Sequence, residues 1–164
     1  MLGLEHSAWK EEPVKLLPLF EGELVYDETT EIGFPTYAED GDWLAYVQGH
    51  GSITGERLQG ELRWTNAPRR RADGTWLPSY HGTIVTTDGA QLLFSMAGYN
   101  QGIGDPFTYD QRGALCWLTL AATDERYRWV NAVFAIVEAD VRPSADPEHW
   151  KIKAYECVNE ISPA

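Results

Sequence analysis

From Val14 onward the chain runs in short stretches of alternating apolar and polar residues, rich in Val, Ile, Thr and aromatics and closed by Gly, Asp or Pro. A period of two bounded by such breakers is the pattern of half-buried strands. It predicts a first strand near Val14–Val25, an acidic loop from Asp27 to Gly41 and a second strand over Asp42–Ile53. A tight turn at Thr54-Gly55-Glu56 leads to a third strand, Leu58–Asn66. Ala67–Ser79 carries two prolines and Asp73-Gly74, so it reads as a long hairpin loop with its own turn. The fourth strand is Tyr80–Thr87, the fifth Gln91–Ala97, joined at Thr87-Asp88-Gly89-Ala90, where Asp-Gly takes the positive φ of a two-residue hairpin turn. Gly98–Gly113, with Gly102, Gly104 and Asp105-Pro106, reads as a loop long enough to be a lid. Leu115–Ala122, Trp129–Asp140 and His149–Val158 complete the set, the last two separated by a turn at Arg142–Pro147. No stretch has a strong helical period; Pro106–Gly113 and Ser7–Glu12 are the two places for a short helix.

About eight strands joined by local hairpins make an up-and-down meander. An open sheet of that width exposes two edges, and about eight strands suffice to close a barrel around one small ligand. The expected fold is therefore all-β, a closed antiparallel up-and-down barrel with few or no helices; the rival is an open Greek-key sandwich. At 164 residues the chain suits one domain, residues 1–164, with its core over about 14–158.

Alternation also sorts side chains between the faces. Leu58, Gly60, Leu62 and Trp64 share one face of the third strand, and Trp150, Ile152, Ala154 and Glu156 one face of the last, with Lys151 and Lys153 opposite. Glu156 thus projects inward, where burial raises a carboxyl pKa and suits it to proton transfer; the alternative is a wet rim position or an Arg partner. His81 alternates with Thr83 and Val85 on a moderately polar inward face and is a second acid–base candidate. Asn131, on a strand apolar on both faces, either polarises a carbonyl or phenol or bonds backbone. Both apolar faces of Trp129–Asp140 imply an outer cover, best supplied by a second copy of the chain.

Composition narrows the partners. Thirteen basic against 25 acidic residues give a net charge of −12, which repels nucleic acid and anionic membranes. The only basic run, Arg69-Arg70-Arg71, follows Pro68 as a solvated turn would. No His, Cys or carboxylate spacing suits a metal, no phosphate-binding or nucleophile-elbow motif is present, and no cofactor is expected. Cys116 and Cys157 lie in apolar runs as small hydrophobes, which fits the cytoplasm, and the first residues lack the pattern of a signal peptide.

Four segments in order, Gly51-Ser-Ile-Thr-Gly55-Glu-Arg-Leu58-Gln-Gly60-Glu-Leu62, Thr87-Asp88-Gly89-Ala90, Glu125-Arg-Tyr127-Arg-Trp129-Val-Asn131 and Ala154-Tyr155-Glu156, resemble the family called domain of unknown function 3237 over roughly Val14 to Val158. The resemblance implies a closed antiparallel barrel, similar in shape to lipocalins and allene oxide cyclases, and a tendency to dimerise. It does not imply one reaction. Leu92-Leu-Phe-Ser-Met-Ala97 departs from the family's more polar strand and predicts a more apolar pocket.

Three functions compete. A cofactor-independent lyase, isomerase or cyclase for a hydrophobic aromatic or polyketide-like molecule would use Glu156, His81 and Asn131 on the reacting atoms. Trp64, Tyr80, Tyr99, Tyr109, Trp117 and Trp129 would hold the substrate. A carrier would want the same cup without the chemistry. A structural protein would use its aromatics only for core and dimer contacts, and would lack a cavity larger than a few waters.

Overall fold

The structure, a computed structural model, describes residues 14–27, 36–37, 43–108, 110–142 and 149–159. Its strands are β1 (Lys15–Tyr26), β2 (Thr36–Tyr37), β3 (Trp43–Leu44), β4 (Val47–Thr54), β5 (Gly60–Asn66), β6 (Arg69–Arg70), β7 (Trp76–Leu77), β8 (Ser79–Thr86), β9 (Gln91–Gly102), β10 (Arg112–Ala122), β11 (Phe134–Arg142) and β12 (His149–Val158). The eight long strands pair antiparallel in chain order, β1–β4–β5–β8–β9–β10–β11–β12, and β12 pairs back with β1. The ring is closed, as local hairpins demand, and the open sandwich is excluded. The four two-residue strands form a side sheet, β7–β6–β3–β2, hung on the far end of β9 where Trp76 pairs with Asn100.

Alternation fills the inside. β5 turns Gly60, Leu62, Trp64 and Asn66 inward, and β9 turns Leu92, Phe94 and Met96 inward, while Glu61, Arg63 and Leu93 face out. The pattern slips once, at the irregular pairing between Pro18 and Phe20, so consecutive Leu19 and Phe20 are both buried. Proline lacks the N–H a regular ladder needs, and a bulge is where a strand tolerates it. Glycines make room for the rings inside: a Cβ on Gly49 would lie 2.5 Å from the Trp64 indole, and one on Gly82 2.6 Å from the Phe94 ring.

Five segments differ from the sequence expectation, the first being the 27–41 loop, where Thr36–Tyr37 form β2 and pair with β3. The second strand is broken, β3 leaving the barrel to pair with β6 before β4 begins. The 67–79 loop contains the β6–β7 hairpin. Gly98–Gly102 and Arg112–Gly113 continue β9 and β10, so the expected lid shrinks to residues 103–111, with no helix among the described ones. Residues Glu125–Ala132 form a 3-10 helix, the only helix among the described residues, and β11 starts at Phe134 rather than Trp129. Asp124 caps that helix by accepting from Arg126 N–H, a polar signal that overrides the apolar run behind it. The other suggested helix, Ser7–Glu12, lies outside the described residues. No helix in the described residues is long and apolar enough to cross a membrane.

Candidate functional site: the mouth of the barrel

The 3-10 helix covers one end of the barrel. Val130, 0% exposed, presses into the interior with Val133 and Leu58. The Asn131 side chain donates to the Ala122 carbonyl at 3.0 Å and accepts from the Ala122 N–H at 2.7 Å, pinning the helix to the end of β10. Arg126 donates to Asp124 and to Asp88, and Tyr127 donates to Asp88 as well.

The opposite end is the mouth, and its lining is aromatic. Trp150, Tyr26, Trp64 and Tyr80 stand edge to face in series, with centroids 4.7, 5.1 and 5.5 Å apart. The Trp64 indole N–H donates to the His50 carbonyl at 2.9 Å, so this ring is fixed. Above the rings lies Arg112, a cation only 2% exposed. It donates from Nε to Asn100 Oδ1 (2.9 Å), from Nη1 to the Thr108 carbonyl (2.6 Å), and from Nη2 to the carbonyls of Asn100 (3.1 Å) and Gly74 (3.4 Å). The Trp76 ring lies 5.6 Å from its guanidinium carbon. These bonds join three segments: the β9 strand end, the 103–111 loop and the tip of the β6–β7 hairpin. A buried charge is tolerable only when its donors are so satisfied. Arg112 is thus a clamp over the mouth, helped by Gln101, which donates to Thr75 Oγ1.

Beneath the clamp the interior is nearly full. Among the described residues two cavities of about 20 Å³ each lie here, each with room for one water-sized group. Leu24, Tyr80, Met96, Val137 and Ile152 line both, so a partition of side chains separates neighbours. The cavity nearer the mouth is also lined by Asn100, Ala114, Cys116 and Trp150. Burial pushes the Cys116 thiol up to about 11, so it is a neutral wall group. Among the described residues Trp64, Phe94, Met96 and Trp150 occupy much of the space that the strand count left for a cup, so barrel closure does not by itself guarantee a hollow. Two larger hollows among the described residues, near 650 and 760 Å³, are open grooves outside the barrel, both bordered by Glu138.

The three expected catalytic residues do not converge. His81 is exposed on the outer face of β8, its ring between Ser79 Oγ (3.4 Å) and Ser95 Oγ (3.2 Å). The reading that faced it inward fails because Tyr80, Gly82 and Ile84 are the inward set of that strand. Glu156 sits at the helix-covered end, accepting from Arg57 at 3.0 Å, the alternative held open for it. Arg57 in turn lies over the Trp129 ring, 3.8 Å from its centroid. Asn131 bonds backbone, on a helix rather than a strand. Of the expected binding residues, Trp64 and Tyr80 face the interior; Trp117 and Tyr99 are exposed outside, Trp129 is half-buried on the helix, and Tyr109 lies outside the described residues. Sequence reading missed Arg112, Asn100 and Cys116, and it put Trp150 on the inner face without assigning it a site. The signal for Arg112 was the alternation of Gly98, Asn100 and Gly102, which continues the β9 pattern through glycines.

No family model and no curated protein matches the chain. Solved structures do. An enzyme from Penicillium herquei superposes with a TM-score of 0.68 at 21% identity, over 92% of this chain and 98% of that one. A beta-barrel like protein from Acinetobacter baumannii gives 0.74 at 16%, over 92% and 99%. A protein with unknown function from Clostridium acetobutylicum gives 0.74 at 15%, over 89% and 100%. The fold is shared. At these identities that is all the likeness shows.

Proposed function

We propose that this chain is a cofactor-independent lyase, isomerase or cyclase for a hydrophobic, aromatic or polyketide-like small molecule, and that its barrel is of the domain of unknown function 3237 type. The observation that carries the reading is the series of four inward rings beneath the Arg112 clamp, with two neighbouring cavities separated by side chains that include Met96 and Leu24. Methionine is unbranched and adapts to irregular space. Movement of Met96 joins the two cavities, and release of the 103–111 loop and the β6–β7 hairpin opens a path to them. The Penicillium herquei enzyme shares the fold, which supports catalysis on such a frame. In this reading the protein is cytoplasmic and pairs with a second copy across the outer face of β9–β11. There Leu93, Leu115, Trp117 and Phe134 are 40–61% exposed, an apolar stripe bordered by Glu138 on a chain of net charge −12.

The test is a thermal-shift screen with aromatic and polyketide-like compounds on the wild type and on Ala114→Leu, which fills the mouth-side cavity. A guest at about ten times its Kd raises Tm by about 3 °C, and Ala114→Leu abolishes the rise. A shift that persists in that variant places the guest elsewhere.

A second reading has its own observation. Cavities of about 20 Å³ together with the outer stripe fit a structural protein whose rings serve only core and dimer contacts. A screen in which no compound stabilises the chain favours it.

A further inference from the structure

One donor inside the barrel has no acceptor. Trp150 is 9% exposed, lines the mouth-side cavity, and its indole N–H finds no hydrogen-bond partner among the described residues. Indole nitrogen only donates, and a buried donor left unpaired is costly, so natural interiors seldom keep one without a use. The other buried donor without a partner, Arg70 Nε, does not line this cavity.

Asn100 lines the same cavity. Asn100 Oδ1 accepts from Arg112 Nε, and this fixes which end of the amide is oxygen: a guanidinium can only donate. The Asn100 Nδ2 donor is therefore the free end, and it makes no hydrogen bond to another described residue. The positive charge behind it polarises the amide and strengthens Nδ2–H as a donor. The remaining lining is Leu24, Met96, Val137, Ile152 and other mainly apolar groups, with the Cys116 thiol held neutral. A small, largely apolar space whose lining residues include an unpaired indole N–H and an amide with an uncommitted N–H end suits one acceptor atom attached to an apolar body.

We propose that Trp150 and Asn100 form a receiving pair for a carbonyl oxygen, so that the guest of the mouth is an aromatic ketone or a related ring-bound carbonyl compound and not a hydrocarbon. The pair is also placed to hold negative charge on that oxygen if the carbonyl enolises. This rests on reading the mouth as a guest site. Trp150 and Asn100 are specificity-determining groups here, and Arg112 is the positioning residue that sets the amide.

The test compares acetophenone with ethylbenzene, matched in size and differing in the oxygen, on the ¹⁵N-labelled chain. The Trp150 indole signal is assigned by its loss in Trp150→Phe, which keeps a ring against Tyr26. Asn100→Asp keeps an acceptor for Arg112 Nε and puts an oxygen where Nδ2 donates. The expected result is a downfield move of the Trp150 indole proton with acetophenone alone. Each variant should weaken acetophenone by about 5- to 10-fold and leave ethylbenzene unchanged. Equal binding of both compounds with both variants indifferent overturns the receiving pair and leaves the guest site standing. Acetophenone bound with the indole signal unmoved does the same. Binding of neither compound overturns both.

Discussion

At one end of the barrel a 3-10 helix drives Val130 into an aliphatic layer and is fastened by Asn131, Arg126 and Tyr127 to backbone and carboxylates. At the other end one buried cation, Arg112, holds loop and hairpin carbonyls over a layer of four rings, and the indole N–H of Trp150 is left unpaired. Both ends keep water out of the core. They differ in what must break to admit something: the helix end is plugged by Val130 and fastened by side-chain bonds, whereas the mouth has small cavities, a clamp made of a few hydrogen bonds, and the unpaired Trp150 N–H. Closure by packing is a stopper. Closure by a clamp is a door.

Four perturbations sharpen the contrast, from the largest effect to the smallest. Trp64→Ala removes the central ring of the series and should cost about 3–5 kcal/mol in denaturant unfolding, as deletion of a large buried aromatic does. Alkali should act on the mouth. The Cys116 thiol stays neutral in the fold until about 11 but ionises near 9.0 when unfolded, so ionisation favours the unfolded chain. Stability from this group is intact below about pH 9 and falls by about 1.4 kcal/mol per pH unit between about 9 and 11; that part of the slope disappears in Cys116→Ala. Asn131→Ala strands an N–H and a carbonyl of Ala122 and should cost about 1–2 kcal/mol, with no effect on any guest at the mouth. Arg57→Ala loses an exposed ion pair and a ring contact, about 1 kcal/mol or less.

Acid should act on the stopper. The Thr86 hydroxyl, Tyr127 and Arg126 lower the Asp88 pKa, and bonds from Arg126 lower that of Asp124. The support they give is present above their ordinary value of 3.8 and is lost as pH falls through the depressed folded values. Amide signals of the 3-10 helix should therefore change at low pH, and Thr75, whose N–H lowers the Asp73 pKa in the β6–β7 hairpin, should change in the same range while Ala114 holds.

The barrel was legible because a hairpin meander is a local property: alternation, breakers and Asp88-Gly89 each act within a few residues, and closure follows from edge avoidance. The inward sets of β5 and β12 were legible for the same reason. His81 was misplaced because Tyr80 and Val85 are both apolar, so the pattern of β8 does not choose a face by itself; its partners Thr65 and Ser95 do. Trp129 and Asn131 were misread because a capped 3-10 turn and a buried strand look alike in a short apolar run. The fullness of the interior was illegible for a geometric reason. Strand number sets the diameter of a barrel, but whether rings meet across it depends on rotamers and on Gly49 and Gly82 giving them space.

The asymmetry of the two ends is tested most directly by native-state hydrogen exchange, residue by residue, with and without acetophenone. The amides of Tyr80, Asn100 and Ala114 should exchange through a local opening and slow when the ketone is added, while those of Ala122 and Val133 keep the same rates. Slowing at Ala122 and Val133 instead, or identical rates at both ends under both conditions, would contradict that asymmetry.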